Sequence, residues 1–97
     1  MTSISIEVLE KTAHMLKLLA HPQRLKIIEI LEKNHEAPVH VISEALDLPQ
    51  AATSHHLNQM KRVGLVSTQR RGKEVWYAIA DRRSLRILDC IRSKKNV

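Results

Sequence analysis

Apolar residues recur at helical spacing through the first two thirds of the chain, and β-rich runs appear only after Gly64. Val8, Leu9, Leu16 and Leu19, with Ala13 and Met15, outline a first helix over about 4–19, with Ser5 as a candidate N-cap. Ala20-His21-Pro22 interrupts it, because proline disfavours helical geometry at the residue before it yet suits the first turn of a new helix. A second helix over about 22–33 turns Leu25, Ile27, Ile28 and Leu31 inward. Residues 34–38 read as a polar link, 39–46 as a short third helix with Val39, Ile42 and Leu46 apolar, and 47–49 as a turn. A fourth helix runs over about 50–63 and stops at Gly64. Leu65–Gln69 and Glu74–Ile79 then form a hairpin around Arg70-Arg71-Gly72-Lys73, and a fifth helix with Asp81 at its N-cap covers about 81–94. The expected architecture is mainly α with a small β-hairpin (α+β), in one domain over 1–97.

The fourth helix carries the main functional signal. At 100° per residue, Thr53, Leu57, Met60 and Val63 share the side that must pack, while Ala51, Ser54, His55, Asn58 and Arg62 share the other. A face chosen only for solubility would be rich in Glu and Lys, but there is no acid between Asp47 and Glu74. Ser, His, Asn and Gln can hydrogen-bond base edges or phosphate oxygens, and the positive helix end near Gln50 favours anions. The candidates for DNA contact are therefore Gln50, Ala51, Ser54, His55, Asn58 and Arg62; Thr53, although inward on the wheel, is counted with them. Arg70, Arg71 and Lys73 at the hairpin tip suit backbone or minor-groove contact beside a helix in the major groove. Trp76 and Tyr77 point to opposite faces of their strand. Both read as packing residues, one sealing the hairpin onto the domain and the other partly exposed.

Charge sharpens this picture. The net charge of +6 divides into −2 over residues 1–60 and +8 over 61–97, so the second half should meet a polyanion, although charge alone does not choose among DNA, RNA and anionic lipid. Two aromatics and no Phe argue against base-stacking surfaces for single strands. The absence of a long apolar run and of a leader-like N-terminus points to a soluble, cytoplasmic protein without membrane contact. Two glycines leave no phosphate cradle, and no nucleophile, base and orienting group stand at useful spacing, so neither an enzyme nor a cofactor is expected. Ser54 and His55, adjacent on a helix, do not face each other. Cys90 is the single cysteine, which excludes an internal disulfide.

The run His21-Pro22-x-Arg24-Leu25-x-Ile27, then Leu48-Pro49-Gln50-Ala51-Ala52-Thr53-Ser54-His55-His56-Leu57, Gly64-Leu65-Val66 and Arg71-Gly72-Lys73-x-Val75-Trp76-Tyr77, resembles the ArsR/SmtB family of bacterial winged helix-turn-helix repressors over about residues 12–90. The resemblance implies a homodimer paired through 1–20 and 81–97, a helix-turn-helix over 39–63 and a wing over 65–80. It further implies binding to an imperfect inverted repeat in promoter DNA on the nucleoid, with release by an inducer. By resemblance, recognition contacts fall on Gln50, Ala51, Ser54 and His55 and wing contacts on Arg70, Arg71 and Lys73, with one hydroxyl missing because Ala51 stands where the family often has Ser. His56 is expected to hold the helix in place. Pro38 and His40 occupy the place of the family's cysteine pair, and residues 81–97 contain no His, so no metal site is expected. Glu29 stands where thiol sensors have their first cysteine. Cys90 should therefore be a small apolar residue of a dimer seam with Leu85, Leu88 and Ile91, the lesser alternative being a thiol switch helped by Arg86 or Arg92. Arg82, Arg83, Arg86 and Arg92 should make the outer face of the last helix cationic. The competing class is a winged module for RNA or protein docking.

Overall fold

The computed structural model describes residues 2–94; Met1 and residues 95–97, the ends of the expected pairing segments, lie outside them. Along the chain run α1 (Ile6–Leu19), α2 (Pro22–Asn34), β1 (Glu36–Pro38), α3 (Val39–Leu46), α4 (Gln50–Arg62), β2 (Val66–Arg71), β3 (Glu74–Ile79) and α5 (Arg83–Lys94). Their boundaries have local causes. Ser5 Oγ accepts the Val8 N–H at 3.3 Å to start α1. At the next corner His21 Nδ1 accepts the Gln23 N–H at 3.2 Å and Pro22 takes the first turn of α2. α4 ends in a Schellman arrangement: with Gly64 at φ 79°, the Gly64 N–H donates to the Lys61 carbonyl and the Leu65 N–H to the Met60 carbonyl, both at 3.0 Å. Asp81 Oδ1 accepts the Arg83 N–H at 3.0 Å where α5 begins.

The strands form one antiparallel sheet in the order β1-β3-β2. Two sequence expectations are corrected here. Residues 34–38, expected as a polar link, contain β1, which sets Ala37 opposite Tyr77 and Pro38 opposite Trp76. Three residues are too few to show a two-residue period, and proline is tolerated because β1 is an edge strand. The hairpin turn is also narrower than expected. Only Gly72 and Lys73 form it, with Gly72 at φ 61°, and Arg70 and Arg71 belong to β2.

Met15 and Leu19 of α1, Ile27, Ile28 and Leu31 of α2, Ile42 of α3, Leu57 and Met60 of α4, Leu65, Val66, Tyr77 and Leu88 make the core. Burial of Thr53, Leu57 and Met60 fixes the rotation of α4, so its opposite face turns outward. Two helices keep apolar residues outside. Ile6, Leu9, Ala13 and Leu16 follow one another along about a quarter of the α1 circumference and all are exposed. On α5 the expected seam divides: Leu88 is buried and Leu85 packs against the core, while Cys90 and Ile91 are exposed. No described helix is long and apolar enough to cross a membrane.

Candidate nucleic-acid interface

On α4, Gln50, Ala51, His55 and Asn58 are exposed and Ser54 is half-buried. The helix begins at Pro49 with no side-chain cap and no acid in its first turn, leaving the first N–H groups open to an anion. Thr53 leaves the set of contact candidates. It is fully buried, and its Oγ1 donates to the Pro49 carbonyl at 3.2 Å, so it secures the start of the helix. Arg62 is exposed at the far end of α4, beside Glu10, Lys11 and His14 of α1 and apart from the other candidates.

The register of the hairpin separates its cations. Residues directly opposite share a face, so Arg70, paired with Val75, projects on the side of Tyr77, while Arg71, paired with Glu74, projects on the side of Trp76. Arg71 stretches across β3: its guanidinium lies 4.7 Å over the Trp76 ring, donates to Gln69 Oε1 at 3.0 Å and meets Glu36 Oε2 of β1 at 2.7 Å. It ties all three strands together on the outer face. A groove of about 400 Å³ separates α4 from the wing, lined by Gln50, Ser54, Lys73, Glu74, Val75 and Tyr77 with the start of α3, Val75 and Tyr77 belonging to the Arg70 side of the sheet. The fold thus gathers Gln50, Ser54 and Lys73 around one cleft and sets Arg70 on the same side of the sheet. Glu74, the one acid of the cleft, is met by His40 Nδ1 of α3 at 3.1 Å.

Second-half cations also sort into committed and free. Arg83 is held by Asp81 (2.6 Å), whose carboxyl its hydrogen bonds keep below the ordinary value. Arg92 reaches back to α2, meeting Glu32 at 2.7 Å and Glu29 at 3.6 Å, and Asp89 on its own helix at 3.3 Å. The outer face of α5 is therefore less cationic than its composition, with the Arg92 guanidinium engaged by Glu29, Glu32 and Asp89. Lys61, Arg62, Arg70, Lys73, Arg82 and Arg86 have no acid partner among the described residues. No group of three metal-ligating side chains occurs among them either. Sequence reasoning missed Glu36, His40 and Arg24 as residues that hold this surface. Each meets a partner from another element, 32 to 35 positions away in the pairs Arg24–His56 and Arg71–Glu36, and no local spacing signals such a pair.

The sequence model described as "Bacterial regulatory protein, arsR family" matches residues 21–68. The chain is similar to an uncharacterized HTH-type transcriptional regulator of Methanocaldococcus jannaschii, with 35% identity over 86 residues that cover 89% of this chain and 97% of that protein. Over the other curated relatives the aligned stretch covers a smaller share, 55 to 71% of their length. Among solved structures, the transcriptional repressor PagR of Bacillus anthracis superposes with a TM-score of 0.81 at 34% identity, over 90% of this chain and 99% of that one. The homodimeric winged helix-turn-helix DNA-binding domain Mb0332 of Mycobacterium bovis superposes with a TM-score of 0.78 at 28% identity, over 96% and 88%.

Proposed function

The chain belongs to the ArsR family of bacterial regulatory proteins, and from that premise we propose that this DNA-binding transcriptional regulator is a homodimeric repressor reading an imperfect inverted repeat. The observation that carries the proposal is the cleft between the acid-free face of α4 and the wing, which joins hydrogen-bonding side chains to free cations. Gln50, Ser54, His55 and Asn58 address base edges and nearby phosphates from the major groove, with Ala51 supplying only apolar contact. Arg62, Arg70 and Lys73 neutralise phosphates. Arg71 contributes by holding the wing, since its guanidinium is already engaged by Glu36, Gln69 and Trp76.

The exposed stripe Ile6, Leu9, Ala13 and Leu16, with Ile91 of α5, is the surface that pairs two copies, so 1–20 and 81–97 serve dimerisation, 39–63 the helix-turn-helix and 65–80 the wing. A relative of the same fold is a homodimer, which supports this assignment. Two α4 helices then enter major grooves about one turn (~34 Å) apart, on the nucleoid in the cytoplasm. Pro38 and His40 in place of a cysteine pair favour control without metal, and the protein acts by binding alone, not by catalysis.

Selection of duplexes from a random pool tests the proposal, repeated with zinc, a chelator, an oxidant and a reductant. A single two-fold symmetric sequence should emerge under all four conditions, and Ser54→Glu should lose it while keeping its fold. Equal affinity for every polyanion, RNA included, would refute sequence-specific repression.

A further inference from the structure

Beneath the reading face, α4 is seated on the corner between α1 and α2 through His56. Arg24 donates from Nε to His56 Nδ1 at 3.1 Å and from Nη1 to the Leu18 carbonyl at 2.9 Å, so one guanidinium joins the last turn of α1, the first turn of α2 and the middle of α4. The ring of His21 meets His56 edge to face with centroids 4.6 Å apart, and its Nδ1 is occupied by the Gln23 N–H. His55, one residue along on the exposed face, has its centroid 6.2 Å from that of His56.

We propose that Arg24 and His56 are positioning residues for DNA recognition: a neutral His56, accepting from Arg24, fixes how α4 sits against the α1–α2 corner, and acidification weakens DNA binding by breaking that bond. The proposal rests on α4 being the DNA-reading helix. Its chemistry follows from the donor. A guanidinium Nε can only donate, so His56 must present a lone pair at Nδ1 and carry its proton on Nε2. Protonation at Nδ1 removes the acceptor and places an imidazolium against a guanidinium. The groups acting on His56 are Arg24 from α2, His21 from the corner and His55 from its own helix, and none is an acid. Burial first, then these neighbours, hold its pKa below the ordinary 6.5. A histidine depressed in the fold contributes stability that is complete above 6.5 and is lost as pH falls through the lower folded value. The Arg24–Leu18 bond involves no titrating partner, so the corner itself stays tied while the tether to α4 opens.

Two variants separate the parts. In His56→Asn the amide oxygen replaces Nδ1 as acceptor but does not titrate; Arg24→Met keeps the apolar stem and removes both donors. Affinity for the selected duplex is measured at constant ionic strength from about pH 8 to about pH 5, and α4 amide exchange is followed in the free wild-type and variant proteins. The ratio of wild-type Kd to His56→Asn Kd should rise roughly tenfold on acidification. His55 is present in both proteins, so the ratio reports the change at position 56. Arg24→Met should bind about tenfold more weakly even near pH 8, with faster exchange confined to α4. A flat ratio, or α4 protection relative to intrinsic amide exchange that is indifferent to both pH and Arg24→Met, overturns the proposal. Exchange in the free protein judges the tether without DNA, so a wild-type chain that bound no duplex at any pH would instead refute the DNA-reading role of α4.

Discussion

Thr53 packs into the protomer and donates its hydroxyl to the Pro49 carbonyl, while Ser54 beside it opens onto the cleft. Thr53→Ala removes a buried methyl group and a hydrogen bond, and should lower stability by about 1–2 kcal/mol, read as a fall in Tm of roughly 4–16 °C. Ser54→Glu should leave Tm almost unchanged and weaken duplex binding by more than about tenfold, because a carboxylate then faces phosphates. Melting curves and titrations on the same preparations check the pair; a Thr53→Ala protein as stable as wild type would contradict the assigned burial. Asp81 behaves differently because its contribution depends on pH. Hydrogen bonds from the Arg83 side chain hold its carboxyl below the ordinary 3.8, so its stabilisation is complete above that value and fades as pH falls through the folded one. Asp81→Ala should cost about 1 kcal/mol near neutral pH and progressively less in acid, as urea denaturation at several pH values would show.

Among the elements, the wing depends most on contacts distant in sequence. A two-stranded hairpin is marginal alone, and here β1 adds a third strand while Arg71 binds across the sheet to Glu36 over Trp76. Because both partners of that ion pair are partly exposed, Glu36→Gln should reduce global stability by at most about 0.5–1 kcal/mol. Its clearer signature is local: faster amide exchange in β2 and β3, with duplex affinity lowered a few-fold. Lys73→Ala should weaken duplex binding without changing that exchange. If Glu36→Gln left the hairpin amides as protected as before, the clamp would have no stabilising role.

At the scale of the molecule, the exposed apolar stripe on α1 is the surface proposed for pairing and the cations without an acid partner are those proposed for phosphate contact. Leu9→Lys together with Leu16→Glu alters only exposed side chains, so the protomer should keep its circular dichroism while sedimentation reports a monomer. Arg62, Arg70 and Lys73 from two protomers predict a slope of about −5 for log affinity against log salt, falling to about −3 in the monomer. A slope near zero with the selected duplex would remove these cations from the interface.

The helices were legible in the chain because the 3.6-residue period, Pro22, Gly64 and the Ser5 cap act over a few neighbours. The same locality made the outward face of α4 readable, since burial of Leu57 and Met60 determines where Ser54 and His55 must point. Tertiary structure decided what depends on approach across the fold: β1, the withdrawal of Thr53, the division of Arg70 from Arg71, and the tethers Arg24–His56, Arg71–Glu36 and His40–Glu74. A side chain's charge and hydrogen-bonding capacity are written in its identity, but whether they are spent inside the protein or left for a partner depends on which distant atoms come within about 3 Å. In this chain that distance separates the cations that hold the wing and helices from those left without an acid partner among the described residues.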